Sequence, residues 1–178
     1  MHRLQKFKQS LPERKRPLPK MDHILQRVVG SKRISFLDGF SGYNQVLVLP
    51  SDQHKTAFTI PYGTFMYVKI PFGLMNVGAT FQRAMYISFS EEIGHFTVIY
   101  LDDIIVYSKN DEEHLAHLRR VFEKCRKYGL SLNPKKTLFG LQEGKFLGHI
   151  IPEEGIKIDP KRIEGILYIS HPRNIKEL

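Results

Sequence analysis

The sequence predicts an α+β fold, with helices backing a mainly antiparallel sheet. Two patterns point there: short β-rich apolar runs in hairpin-like pairs, and two long stretches of helical periodicity. Composition adds a third. Apolar residues make up 42% and charged residues 25% of 178 residues, so the chain can build a core.

The elements follow in order. Asp22 to Val29 reads as a short helix, with Ile24, Leu25 and Val28 at helical spacing and Gly30 ending it. Ile34 to Leu37 is a short strand running into Asp38-Gly39. Gln45 to Leu49 reads as another, stopped by Pro50. Thr56–Ile60 and Phe65–Ile70 flank Pro61-Tyr62-Gly63-Thr64, a hairpin turn. After Asn76 a helix carries Phe81, Ala84, Met85, Phe89 and Ile93 on one face, and Gly94 closes it. Thr97 to Ser108 holds two apolar β-rich runs around Asp102-Asp103, a spacing that fits a tight hairpin. A longer helix follows. Asn110 and Glu113 form a capping pair, Leu115, Leu118, Phe122 and Cys125 form the apolar face, and Gly129 is the stop. Strands are predicted at Lys145–Ile151 and Ile156–Ile158, turning through Pro152 to Gly155. A last helix starts at Asp159-Pro160 and runs to about Ser170.

Several classes fall away. A single cysteine, Cys125, excludes an internal disulfide framework and a Cys-rich zinc module. No apolar run approaches the roughly 20 residues that cross a bilayer, and the N-terminus has no apolar signal region, so a soluble intracellular protein without a membrane partner is expected. The net charge of +9 favours a polyanion partner, nucleic acid first. Residues 1–20 carry seven basic residues against Glu13 and three prolines, and read as an extended basic arm or a solubilising tail.

The acidic tip Asp102-Asp103 takes the place where a hairpin prefers Asn-Gly or Asp-Gly. Adjacent carboxylates repel, so the alternatives are a solvated acidic turn and a strained functional one. Buried strands on both sides favour the second. Rigid carboxylates suit Mg²⁺, a hard cation that takes oxygen ligands. Asp38, at the end of its own strand, is the natural third carboxylate of a two-metal phosphoryl-transfer site.

Five segments carry a family resemblance. Tyr100-Leu101-Asp102-Asp103 is similar to the catalytic motif C of reverse transcriptases, and Phe36 to Gln45 (FLDGFSGYNQ) to motif A. Pro71-Phe72-Gly73-Leu74-Met75-Asn76 with Ala79-Thr80-Phe81-Gln82 resembles motif B, Leu132 to Lys136 motif D, and Phe146-Leu147-Gly148-His149 motif E. Order and spacing resemble the pol polyprotein of gypsy-class LTR retrotransposons over roughly Pro17 to Leu178. The resemblance implies an RNA-directed DNA polymerase palm with partial fingers over 21–160, the start of a thumb over 161–178, and the arm over 1–20.

It also implies roles. Asp38, Asp102 and Asp103 would hold two Mg²⁺ (or Mn²⁺) ions. Tyr43 would be the aromatic gate against a ribose 2′-OH, and Phe72 and Gly73 would line the dNTP pocket. Lys136, with Lys135 adjacent, would protonate pyrophosphate, and Leu147 and Gly148 would grip the primer. Implied partners are an RNA or DNA template with primer, dNTPs, and the remaining pol regions: fingers, connection, RNase H and integrase. The implied location is a cytoplasmic retroelement particle or the nucleus.

The sequence departs from the family in places. Gly78 stands where motif B carries proline, which loosens the start of that helix. The arm before Pro17 does not match the fingers pattern, and Leu178 falls at the start of the thumb. The expectation is a fragment that polymerises poorly alone. The alternative is a catalytically inactive, nucleic-acid-binding retroelement remnant. A small RNA-binding module ranks last because aromatic RNP strands are missing. Gly140 to Phe146 fails as a phosphate-binding loop for want of a Ser or Thr after Lys145. His114 and His117 share a helix face and are expected to be a solvated pair rather than a metal site.

Overall fold

A computed structural model of the chain describes residues 20–73 and 77–168. Helix α1 (Met21–Val28) leads into β1 (Arg33–Asp38). A 3₁₀ turn (Gly42–Gln45) and a one-turn helix α2 (Pro50–Gln53) precede the hairpin β2 (Phe58–Ile60) and β3 (Gly63–Phe65). Helix α3 (Val77–Ser88), strands β4 (Thr97–Tyr100) and β5 (Asp103–Ser108), and helix α4 (Asp111–Tyr128) follow. Strands β6 (Leu138–Leu141), β7 (Gly144–Phe146), β8 (His149–Ile151) and β9 (Lys157–Ile158) and helix α5 (Pro160–Leu167) complete it. Among the described residues no helix is long and apolar enough to cross a membrane.

The main sheet has the order β4-β5-β1-β6, and all its pairings are antiparallel. Strand alternation sorts its residues between two cores. Leu37, Ile99, Ile104 and Val106 face α3 and α4, packing against Phe81, Met85, Leu118 and Val121. Ile34, Val98 and Ile105 face the other way, onto Ile24, Leu25 and Val28 of α1 and Phe146 and Ile151 of the small sheet β7-β8-β9. Both faces are therefore covered, with the long helices on one of them.

Several boundaries differ from the sequence reading. Gln45–Leu49 is not a ladder strand. The 3₁₀ turn consumes its start, and only Val48 N→Val68 O (2.9 Å) and Ile70 N→Val46 O (3.0 Å) tie it to its neighbour. The β2–β3 turn is the two residues Pro61-Tyr62, tighter than the four expected, because Ile60 pairs with Gly63. The span Lys145–Ile151 breaks into two strands at Leu147-Gly148, both with positive φ (50° and 77°), so it is a hairpin rather than one strand. Strand β6 carries no strand pattern in the sequence because Gly140 sits inside it.

Helix α4 starts and stops as the sequence indicates. Asn110 accepts from Glu113 N, and Gly129 ends the helix at φ 70°. Its buried face, however, is His114, Leu118, Val121 and Cys125, while Leu115 is 68% and Phe122 37% exposed. The helix is turned by about one residue relative to the predicted stripe. Helix α5 is capped by Asp159 with Pro160 in its first turn. Its predicted end at Ser170 lies outside the described residues, as do the arm at 1–19 and Leu74-Met75-Asn76 of the motif B segment.

Candidate active site

Asp38 is the last residue of β1, and Asp103 is the first of β5. The two are direct partners in the antiparallel register. Tyr100 pairs with Asp103, so the hairpin loop is Leu101-Asp102. The tip is thus shifted by one residue from the expected Asp102-Asp103 loop. Leu101, not an aspartate, takes the positive φ of 53°. Pairing with β1 fixes Asp103 inside the ladder and moves the turn back by one.

Backbone bonds join the segments. Gly39 N donates to Asp102 O (2.8 Å), tying the end of β1 to the hairpin loop. On the other side, Asn133 N donates to Asp38 O (2.8 Å) and Phe40 N to Ser131 O (2.9 Å). Gln45 closes this zipper, donating to Phe40 O and Ser131 O and accepting from Ser131 N.

The close approaches are specific. A Cβ on Gly42 would meet Asp102 Oδ1 well inside contact distance, and Phe81 Cζ at 3.1 Å. Only glycine lets the 3₁₀ turn pass over that carboxylate. Asp102 Oδ1 is buried with no hydrogen-bond partner. Burial, then the charge of Asp38, pushes the Asp102 carboxyl above the usual carboxylate range. Burial, then Asp38 and Asp102, does the same to Asp103. Lys136 opposes both shifts. Its Nζ lies 3.6 Å from Asp38 Oδ2, while Lys135 uses its backbone N–H on Asn133 Oδ1. Of the two adjacent lysines, Lys136 is the one that faces the acids.

A cavity of about 260 Å³ opens here, lined by Asp38, Asp102, Lys136 and Phe72 with the Gly39–Gly42 backbone and Asn133. Asp103, Tyr43 and Gly73 stand outside its lining. Tyr43 sits behind it, edge-on to Phe72 (5.1 Å) and Phe81 (5.3 Å), its phenol pushed up by burial and by Asp102. Leu147 and Gly148 form the β7–β8 turn, away from the cavity. Leu147 O accepts from Arg162 Nη1 (3.2 Å), and Gly148 O from Asp159 N (3.1 Å). A larger cleft, about 940 Å³, lies at the far end of β1 between Arg33, Asp111, Glu143 and Glu153, remote from the paired aspartates.

Among the described residues no three Asp, Glu, His or Cys side chains already form a group that would hold a metal. The donors nevertheless suit one. A buried carboxylate oxygen without a partner, and two acids raised by burial and then by the charge of Asp38, are relieved by a hard divalent cation. His114 and His117 are no metal site and no solvated pair. His114 is 4% exposed, and both rings hydrogen-bond serine hydroxyls.

One residue of the site escaped the sequence reading as a functional group. Gln82, buried on α3, donates to Ile99 O (2.9 Å) and accepts from Leu101 N (2.6 Å). It clamps the strained loop residue from below. A glutamine on an otherwise apolar helix face was the available signal, but its partner is backbone from a distant hairpin.

This corner joins the end of one strand, a hairpin whose two-residue loop carries Asp102, and a lysine turn, in the order of the motifs. The profile of the family described as "Reverse transcriptase (RNA-dependent DNA polymerase)" matches residues 1–151. The chain belongs to the reverse transcriptase family. The match begins at residue 1, so the basic arm lies inside the family's span rather than before it.

Reverse transcriptase relatives are found in retrotransposons. The retrovirus-related Pol polyprotein from transposon opus of Drosophila melanogaster is 36% identical over 91% of this chain and 16% of the relative. The corresponding gypsy polyprotein is 31% identical over 92% of the chain and 16% of the relative. The Tf2-3 polyprotein of Schizosaccharomyces pombe is 34% identical over 91% of the chain and 12% of the relative. The chain thus spans about a sixth or less of these proteins. Among solved structures, the foamy viral protease-reverse transcriptase in complex with RNA/DNA hybrid has a TM-score of 0.80 at 25% identity, covering 97% of this chain and 23% of that one. The dRH form of that protein with double-stranded DNA has a TM-score of 0.83 at 25% identity, covering 98% and 30%.

Proposed function

We propose that this chain is the palm, with part of the fingers over 21–160 and the start of the thumb over 161–178, of an RNA-directed DNA polymerase that adds nucleotides from dNTPs to a primer 3′-OH. The observation that carries this is the Asp38–Asp103 strand pair bonded through Gly39 to Asp102, whose buried Oδ1 has no partner. Asp38 and Asp102 would hold divalent cations, with Asp103 completing the acidic cluster. Bound there, Mg²⁺ ions would lower the pKa of the 3′-OH and neutralise the triphosphate and departing pyrophosphate.

The chain's own residues supply the rest. Lys136, whose ammonium lies 3.6 Å from Asp38 Oδ2, would give its proton to the departing pyrophosphate. Tyr43, edge-on to Phe72 and Phe81 behind the cavity, would act as the aromatic gate against a ribose 2′-OH through the Phe72 wall. Phe72 forms a wall of the dNTP pocket, with Gly73 beside it outside the cavity lining. The Leu147-Gly148 turn presents rigid backbone to the primer. The palm sheet would meet the duplex through sugar and phosphate, so binding is salt-dependent and nearly sequence-blind. The fingers, connection, RNase H and integrase regions of a parent polyprotein are the natural partners.

The test is extension of a primed homopolymer RNA with dNTPs and Mg²⁺, beside Asp102→Asn. Extension in the wild type alone supports the reading. Extension equal in both proteins, or in neither, overturns intrinsic catalysis and leaves the inactive nucleic-acid-binding remnant.

A further inference from the structure

Edge strand β6 pairs with β1 through Ile34↔Leu141 and Phe36↔Leu138. Two steps along β1 therefore match three steps along β6, which is a bulge opposite Ser35. Gly140, in the bulge, has φ 61°. Its N–H donates to the Ser35 hydroxyl (3.0 Å) rather than to a backbone carbonyl. Ser35 Oγ is in turn 2.7 Å from His114 Nε2, His114 Nδ1 is 3.1 Å from Ser108 Oγ, and Ser108 Oγ is 2.7 Å from His117 Nδ1. Ser35, Ser108 and His114 are all buried.

One assignment of protons satisfies this chain completely. The Nδ1–H of a neutral His114 donates to Ser108, and the Ser108 hydroxyl donates to His117. The Ser35 hydroxyl donates to His114 Nε2, leaving its lone pairs for Gly140. The helix thereby holds the edge strand across its bulge through a side-chain relay.

The strand it holds follows directly on the Lys136 turn. In that turn Lys136 N and Thr137 N both donate to Asn133 O (3.2 and 3.1 Å). One end of the turn is zipped to Asp38 through Asn133 N. The other end enters β6 at Leu138. If β6 slides, the only fixed end is the Asn133 side.

We propose that Ser35 and His114 are positioning residues for Lys136. They lock the β6 bulge and so hold the Lys136 ammonium over Asp38 during nucleotidyl transfer. The inference rests on the polymerase reading for its kinetic consequence, but not for its structural one.

Two measurements on the whole chain test it. In amide hydrogen exchange, Ser35→Ala should speed exchange at Gly140, Lys136 and Thr137 at least about tenfold. The Gly39 amide, bonded to Asp102 O, should be unchanged. His114→Phe, which leaves Ser35 in place, should show the same pattern should S35A fail to fold. His114→Gln, whose amide can reach Ser35, should restore most of the protection. Faster exchange confined to Gly140, or no change in either variant, would overturn the proposal.

In single-nucleotide extension, S35A should lower kcat about tenfold and leave the dNTP KM within about twofold. In a Lys136→Ala background S35A should lower kcat no further, since the residue it positions is gone. An equal kcat loss in both backgrounds would overturn it too. A wild-type chain that extends no primer would defeat the polymerase reading alone, and the exchange pattern would still decide the positioning claim.

Discussion

β1 and β5 run antiparallel through six residue pairs, and the two ends of that ribbon treat polar groups in opposite ways. At the Asp38–Asp103 end, a buried carboxylate oxygen has no partner, Ser41 and Leu101 hold positive φ, and two acids are raised by burial and repulsion. Toward the other end, Ser35, Ser108, His114 and His117 bond one another in an unbroken chain. The nearby cleft, though larger, is crossed by the Arg33–Asp111 ion pair (2.5 Å). The difference separates a site from a scaffold. At the acidic end, strain and an unmet hydrogen bond are what a ligand would complete, whereas the buried serines and histidines of the other end satisfy each other.

The sharpest way to break the comparison is Gly42→Ala. Its Cβ would strike Asp102 Oδ1, so either the carboxylate or the 3₁₀ turn must move. Displacements of this size cost about a hundredfold in rate when the moved group is catalytic. Extension should fall at least that much, with a loss of about 1–3 kcal/mol in denaturant stability from overpacking. A near-wild-type rate would show that the place of Asp102 is not critical.

Gln82→Leu attacks the same corner from beneath. It leaves Leu101 N–H and Ile99 C=O without their partner. Each such buried group costs about 1–3 kcal/mol, so the denaturation midpoint should drop by the equivalent of about 3 kcal/mol. A loss under about 1 kcal/mol would mean that the strained loop supports itself.

These two residues also show what was legible in the sequence. Asp38, Asp102 and Asp103 could be found because each motif is local and the motifs come in order. The register of the hairpin could not, since Asp103 is drawn into β5 by a strand some 65 residues earlier in the chain. The rotation of α4 was ambiguous for a similar reason. Leu115-Leu118-Phe122-Cys125 and His114-Leu118-Val121-Cys125 are both helical stripes, and the partners across the interface, Ser35 and Ser108 for His114 and the sheet core for Val121, choose the second. β6 was hidden by Gly140, whose freed N–H finds a side chain rather than a ladder partner. Gln82 and Gly42 matter through distant backbone or a carboxylate, contacts that no local pattern carries.

The scaffold end yields a prediction in pH. Burial, then the charges of His117 and Arg33, holds His114 below its ordinary 6.5, against a weaker opposing pull from Asp111. The native ring is neutral and the unfolded ring gains a proton near 6.5, so the unfolded state binds more protons as pH falls. This part of the stability is fully present above pH 6.5 and is lost as pH drops from 6.5 toward the native value. The wild type should therefore lose more melting temperature between pH 8 and pH 5.5 than His114→Gln does. Equal losses would mean that the ring is solvated after all, and the contrast between the two ends would weaken.

The smallest effect comes from the second glycine of the active corner. Gly78 replaces the proline that the motif resemblance expects, at the start of α3. Unlike Gly42, it has room. A Cβ there would lie 3.6 Å from Leu101 Cδ2 and 4.0 Å from the Tyr43 hydroxyl, both ordinary contacts. Its φ is also outside the left-handed region. Alanine removes backbone freedom from the unfolded chain without straining the native one, a gain of about 0.5 kcal/mol at a first-turn position. Gly78→Ala should then raise the denaturation midpoint slightly and leave extension intact. If it instead slows extension as Gly42→Ala does, the space above Gly78 is part of the site, and the looseness at the start of α3 serves the nucleotide pocket.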